Sequence, residues 1–369
     1  MNFKNINRLS SNNLFQVVTN ILDTFNHETL LEKFSTLNAL YQCKLIDNTL
    51  YITIKMPFVW KTPFDILIKT KTLELQEITN TKNIIWELIH NITVVSKTND
   101  ASNINNIKNI IIVSSNKGGV GKSTVSVNLA LALLLEGAKV GIVDADIYGS
   151  SIPFMLGTKN IHLKSNDGVH MFPVMAYNLS INSIGYIINN NSPIIWRGPM
   201  ISKALLEIIN NTLWPKIDYL IVDMPPGTGD IQLTISQNIP VNAAIIVTTP
   251  QDMVLNNIEK SILMFNKFHI PILGIIENMS TYICSHCGRT EHIFGPSNSE
   301  RLANKYFCKL LSKIPLHTSF CMDLENGQPT VIKDPNSMFS NIYRKIAYNI
   351  SADLYWSSCK FKKINFINI

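Results

Sequence analysis

The chain has 369 residues, 46% of them hydrophobic and 16% charged, with a formal net charge of +6. That is enough apolar material for two domains and at least one large core, and it excludes a disordered polymer. The modest positive charge comes without a dense Lys/Arg cluster interleaved with aromatics, so no nucleic-acid surface is expected.

The opening stretch, MNFKNINRLSSNNLF, has no apolar core of the signal-peptide kind. Residues 1–95 read as a small α/β domain. Asn13 to Phe25 is amphipathic and predicts a helix, and Leu40 to Ile46 and Thr49 to Met56 predict strands around an Asp47-Asn48 hairpin turn. Thr62 to Thr79 predicts a second helix and Ile84 to Val94 a last strand. His27, Cys43 and His90 stand alone and read as packing or surface residues. Residues 96–108, SKTNDASNINNIK, lose apolar periodicity and predict a linker.

The second domain, 109–369, opens with NIIIVSSNKGGVGKSTVSVNLALALLLEGAKVGIVDADIYG. A β-branched run (Ile110 to Val113) leads into a glycine-rich turn, a helix from about Ser123 to Glu136 stopping at Gly137, and a strand (Lys139 to Val143) ending in Asp144 and Asp146. The longest apolar run here, Val127 to Leu135, is too short to cross a bilayer, so no membrane partner is expected. Residues 150–200 read as irregular. Ser202 to Trp214 predicts a helix, and Asp218 to Asp223 a buried strand followed by MPPGTGD. Strands at Ala243 to Thr248 and Ile272 to Ile276 flank a helix at Asp252 to Phe268. An insertion with Cys284 and Cys287 follows, then helix, strand and a last helix from about Phe339 to Trp356. Alternating, near-continuous apolar strands and helices predict an α/β fold, a mostly parallel sheet covered on both faces with ligands at the carboxyl ends of its strands; the glycine-rich turn between the first strand and helix, with its Lys and Ser, makes it a phosphate-loop NTPase.

The loop Asn116-Lys117-Gly118-Gly119-Val120-Gly121-Lys122-Ser123-Thr124 carries the chemistry. Its glycines let backbone N–H groups close around phosphate oxygens at a helix N-terminus. Lys122 supplies charge for the β- and γ-phosphates, and the Ser123 hydroxyl suits Mg²⁺. A nucleoside triphosphate site also needs a carboxylate beside the metal and a group that positions water. Asp223, at a strand end, suits the first role and Asp146 the second, with Asp144 adding to the Mg²⁺ network and the Gly227 N–H standing near the γ-phosphate. Lys117 is a second lysine in a loop already served by Lys122. It fits a charge acting in trans on a nucleotide held by a facing subunit. Asn116 stands where the strict pattern has glycine, a position at which Asn tolerates a left-handed backbone.

Cys284-Ser-His-Cys287 is a C-x-x-C on a loop, and thiolates favour zinc and iron–sulfur clusters. One pair gives two ligands where tetrahedral zinc or a 4Fe–4S cluster takes four. The other cysteines of the six are scattered, a poor disulfide framework that points to a reducing cytosol. A two-fold dimer would bring four thiolates to one bridging site. From spacing alone structural zinc, with His286 or His292, ranks ahead of a cluster; a redox dithiol and two ordinary thiols are the other readings.

KGGVGKST with VDADIYG and IVDMPPGTGD resembles the deviant phosphate-loop ATPases of the partitioning and septum-positioning group. Within that group the whole chain is similar to the Mrp-type (ApbC-type) iron–sulfur cluster carriers, through WRGPM (196–200), NIPVNAAIIVTTPQD (238–252), GIIENMS (274–280) and ICSHCG (283–288), with MPFVW (56–60) in the small domain. The resemblance implies slow ATP hydrolysis, a homodimer with Lys117 acting across it, Asn278 near the adenine base, a cluster bridging two subunits through Cys284 and Cys287, and apo iron–sulfur proteins as acceptors in the cytoplasm. It places the cluster ahead of zinc. Asn116 and Ser150 depart from the family pattern, which has Gly and Pro there. A nucleotide-switched partitioning or positioning ATPase with zinc at the cysteine pair, and a non-catalytic adaptor, are the alternatives.

Overall fold

The computed structural model describes residues 11–95, 104–147, 149–187, 198–284 and 286–367. It forms two compact units. The first takes in the chain up to Thr93, Leu135–Gly137 and the chain from Tyr348 on. Its elements are α1 (Ser11–Leu22), α2 (Phe34–Leu37), β1 (Leu40–Ile46), β2 (Thr49–Met56), α3 (Lys61–Thr79) and β3 (Asn83–His90). β1 and β2 form the expected hairpin, with Asp47 and Asn48 at φ 46° and 60°, the paired left-handed residues a tight two-residue turn requires. α3 crosses over to bring β3 parallel to β2. β3 stops at His90 rather than Val94 because His90 faces Met56, the last residue of β2.

The core of this unit corrects the expected boundary. Leu22, Phe34, Ile54, Phe58 and Trp60 pack with Ala352 and Trp356 of the last helix, and the Trp356 Nε1–H donates to the Thr29 carbonyl at 2.8 Å. Residues from Tyr348 on therefore belong to the small unit, although they follow the second domain in sequence. Glu136 joins the same unit. It is fully buried and accepts the Thr62 N–H, at the start of α3, at 2.8 Å.

The second unit contains β4 (Ile107–Ser114), α4 (Lys122–Leu135), β5 (Val140–Asp144), α5 (Ile152–Met155), β6 (Val174–Ala176), β7 (Leu179–Ser183), α6 (Gly198–Asn210), β8 (Ile217–Asp223), α7 (Asp230–Asn238), β9 (Ala243–Thr248), α8 (Asp252–Lys267), β10 (Ile272–Ile283), β11 (Thr290–Glu291), α9 (Ser299–Lys305), β12 (Leu310–Leu316), α10 (Thr318–Glu325) and α11 (Thr330–Lys333). The last helix, α12 (Met338–Ile367), starts here. The sheet order is β11-β10-β9-β4-β8-β5-β7-β6, with β12 also on β10. Its interior pairs are parallel, and antiparallel strands occur only at β6 and β11. This is the expected phosphate-loop architecture. Register brings Val113 of β4 and Asp144 of β5 opposite Asp223 of β8, so three strand ends meet at one edge.

Several elements differ from the sequence reading. Of the expected linker, residues 96–103 lie outside the described residues, and Ile107 already opens β4. The stretch 150–187 holds α5 and the β6–β7 pair rather than irregular chain, and Trp196 and Arg197 of the WRGPM motif lie outside the described residues. α6 ends at Asn210, before Trp214, because residues 211–213 turn to pair with Met171. α12 continues past Trp356 to Ile367.

Candidate nucleotide site and cysteine hairpin

The loop between β4 and α4 turns on two glycines, Gly119 and Gly121, at φ 83° and 79°. A Cβ at Gly119 would meet nothing within 4 Å, whereas one at Gly121 would stand 2.3 Å from Asn278 Nδ2. The first glycine is needed for its backbone, the second for backbone and space. Asn116 is not among the left-handed residues. The replacement of glycine there is therefore tolerated without the left-handed turn that the sequence reading invoked. The loop borders a cleft of about 230 Å³ lined by Lys117, Gly119, Lys122, Ser123, Asp146 and Pro226, among others. Lys117 is exposed at this cleft.

Behind Lys122 and Ser123 of the cleft lies a buried polar cluster on Asp223. This carboxylate is fully buried, and its Oδ2 lies 2.8 Å from Lys122 Nζ and accepts the Ser123 hydroxyl at 2.6 Å. Its Oδ1 accepts from Ser126 Oγ at 2.6 Å, while the same hydroxyl lies 3.0 Å from the Lys122 carbonyl. A hydroxyl has one proton, and the shorter contact to the charged acceptor takes it. Ser126 was not singled out from the sequence. Its signal is faint: a small hydroxyl residue one helical turn after Lys122, on the face toward the neighbouring strand end.

Asp144 does not join the metal network as expected. It is fully buried, its Oδ2 accepting from Ile152 N–H (3.1 Å), Ser150 Oγ (3.0 Å) and Ser183 Oγ (3.3 Å), and its Oδ1 from Asp146 N–H (3.1 Å). Burial, and then the Asp223 carboxylate alongside, push its pKa up to about 7. Ser150, where the family pattern has Pro, thus supplies a donor to a buried acid. Gly227 is also corrected. At φ 102° its N–H donates to the Ser115 carbonyl at 2.8 Å, so it is Pro226, not the Gly227 amide, that faces the cleft.

Asn278, at the far side of the loop, donates from Nδ2 to the Val120 carbonyl at 2.9 Å. With Gly121, Thr124, Met279, Phe320, Cys321 and Tyr343 it lines an apolar slot of about 70 Å³ beside the loop.

The cysteine pair sits at the tip of the β10–β11 hairpin, whose last pairs are Tyr282↔Glu291 and Ile283↔Thr290. The Cys284 N–H donates to the Arg289 carbonyl (3.0 Å) and the Gly288 N–H to the Cys284 carbonyl (2.9 Å), with Gly288 at φ 70°. The turn is tight, and Cys287 is exposed at it. N–H donors from Cys287 and then His286 hold the Cys284 thiol below its usual range, against the opposing charge of Glu291; a more available thiolate is a better metal ligand. Among the described residues no three His, Cys, Asp or Glu side chains gather to hold a metal. His286 and His292 therefore do not complete a zinc knuckle with the pair within one chain.

The donor set fits Mg²⁺ and a nucleotide. A hydroxyl and a carboxylate touch at the helix start, a lysine lies beside them, and the preceding turn is open at Gly119. The ParA family of NUBPL iron-transfer P-loop NTPases matches residues 106–351. The iron–sulfur cluster carrier protein of Escherichia coli K12 is 52% identical over 340 residues, 92% of each chain. That of Haemophilus influenzae is 47% identical over 339 residues, again 92% of each. Among solved structures, a nucleotide-binding protein from Archaeoglobus fulgidus in complex with ADP aligns at a TM-score of 0.57 and 31% identity, over 68% of this chain and 97% of that one. The septum site-determining protein of Pyrococcus horikoshii, complexed with Mg-ADP, aligns at 0.50 and 25% identity, over 65% and 94%. The chain belongs to the ParA-type family of NUBPL iron-transfer P-loop NTPases.

Proposed function

We propose that this protein is an ATP-dependent iron–sulfur cluster carrier that works as a homodimer in the cytoplasm and delivers its cluster to apo iron–sulfur proteins. The observation that carries the reading is the pair of thiols at an exposed hairpin tip, with no third ligand beside it among the described residues, in a chain that also holds a phosphate loop. Two thiolates complete a four-ligand site only when a second copy supplies two more. The cargo is then a 4Fe–4S cluster bridging two protomers, released when the protomers part. No helix among the described residues is long and apolar enough to cross a membrane, which suits delivery in the aqueous phase.

At the nucleotide site the loop amides of 118–121 and Lys122 would bind the phosphates of ATP, and Ser123 with Asp223 would hold Mg²⁺. The metal, when bound, neutralises phosphate charge. Ser126 keeps Asp223 oriented toward that site. Asp146, which lines the cleft, orients the attacking water, and Lys117 neutralises charge on the nucleotide of the partner protomer. Asn278 and the apolar slot beside it receive the adenine base. Hydrolysis is slow, in keeping with a switch rather than a metabolic ATPase.

The test is transfer. Protein reconstituted anaerobically with iron and sulfide is mixed with an apo ferredoxin, and cluster appearance on the acceptor is followed with and without Mg-ATP. Nucleotide-dependent transfer in the wild type, lost in Lys122→Ala, is expected. Transfer at one rate in all four conditions overturns the nucleotide half of the proposal.

A further inference from the structure

β10 runs from the nucleotide side of the sheet to the cysteine hairpin, and between those two points it loses register with β12. The pairing passes from Asn278↔Ile314 to Tyr282↔Leu316, so four steps along β10 face two along β12. The surplus residues form a bulge, and Met279 within it is at φ 55°. That left-handed conformation is costly for any residue with a side chain other than Asn or Asp, so its neighbours must hold it. On the loop side, Asn278 is tied to the Val120 carbonyl, and Met279 Cε lies 3.5 Å from where a Gly121 Cβ would stand. Met279 also lines the apolar slot. On the other side, Tyr282 and Ile283 form the base of the hairpin that carries Cys284.

We propose that the Met279 bulge is the link through which occupancy of the slot sets the cysteine hairpin. This rests on the slot being the base site. A base entering the slot packs against the Met279 side chain. That side chain is attached to a backbone held out of its preferred conformation, so its movement turns the bulge. Bulges re-aim the strand beyond them, and the strand beyond this one is the hairpin's own base. Met279 is a positioning residue: it touches the nucleotide side and acts on the thiols through four residues of strand.

The full-length apoprotein is treated with iodoacetamide with and without saturating Mg-ADP, saturation being checked by calorimetry for each variant. Alkylation is read peptide by peptide by mass spectrometry. Cys321 lines the slot and reports its occupancy directly; Cys284 reports the hairpin. In the wild type ADP shields Cys321 and changes the Cys284 rate by about fivefold or more, the low end of ordinary coupling between two sites. Met279→Gly, free in either backbone state, keeps the Cys321 shielding and loses the Cys284 response. Met279→Leu, which keeps an apolar side chain to meet the base in the slot, retains it. A Cys284 rate unmoved by ADP while Cys321 is shielded overturns the coupling, whether or not either variant folds. An unshielded Cys321 at saturation overturns the slot assignment and the coupling with it. A Met279→Gly protein that responds like the wild type removes Met279 from the path. Cluster content after anaerobic reconstitution is measured separately, so failure of the carrier reading is told apart from failure of the link.

Discussion

Replacing Ser126 by alanine removes one oxygen and isolates what that oxygen does. Its hydroxyl donates to Asp223 Oδ1 at 2.6 Å, and both residues are fully buried. Alanine leaves no void of consequence, so the cost is that of a buried carboxylate oxygen losing its donor. Hydrogen bonds to charged groups contribute about 1.5–3 kcal/mol, and no water enters to replace a donor in so closed a position. Ser126→Ala is therefore expected to lose about 1.5–3 kcal/mol of unfolding free energy in urea, followed by circular dichroism. Lys122 and Ser123 still hold Oδ2, so the carboxylate stays in place but can turn about that anchor. Mg-ADP affinity, measured by calorimetry, should fall with it, while binding of ADP without Mg²⁺ changes little. A stability loss below about 0.5 kcal/mol, the range of an ordinary surface substitution, would refute the claim that Ser126 fixes Asp223.

The two glycines of the loop separate strain from space. Gly119→Ala, where a Cβ meets nothing, should cost about 1–2 kcal/mol from its left-handed φ alone. Gly121→Ala adds a clash with Asn278 and the loss of its bond to Val120, about 1 kcal/mol more, and equal urea midpoints for the two variants would contradict this. Asp144 gives a pH signature. Its folded pKa of about 7 lies above the usual carboxylate value of 3.8, so the stability carried by its protonated form is complete below pH 3.8 and is lost as pH rises to about 7. Asp144→Asn cannot ionise; whatever constant offset it introduces, its unfolding free energy relative to the wild type should improve between pH 4 and pH 7, and a flat difference would show that Asp144 ionises freely.

The nucleotide half of the site was legible because its chemistry demands particular residues at fixed spacing. Glycines, Lys122 and Ser123 at a strand-to-helix turn, with Asp223 at the end of an apolar run, admit few other readings. Ser126 was not legible, because a serine one turn into a helix resembles any small buried residue until Asp223 is seen beside it. The left-handed Met279 was equally hidden, since methionine carries no turn signal and the bulge arises from how β10 meets β12. Gly227 was misread because its motif tells where the chain turns, not which carbonyl its amide will find. The last helix shows the limit of periodicity. An amphipathic pattern says that a face is buried, but only the tertiary structure shows that Trp356 buries it against Trp60 and Phe58 in the small unit. The cysteine pair was seen at once, yet spacing alone favoured zinc. The hairpin tip without a third ligand among the described residues, and the family to which the chain belongs, favour the cluster.

Iron per chain, measured together with molecular mass after anaerobic reconstitution, bears most directly on a cluster shared between two copies. Four irons divided between two protomers give about two irons and two sulfides per chain on a species of twice the chain mass, and none on Cys284→Ala/Cys287→Ala. Four irons on a monomer, or an undiminished iron content in the double variant, would contradict it.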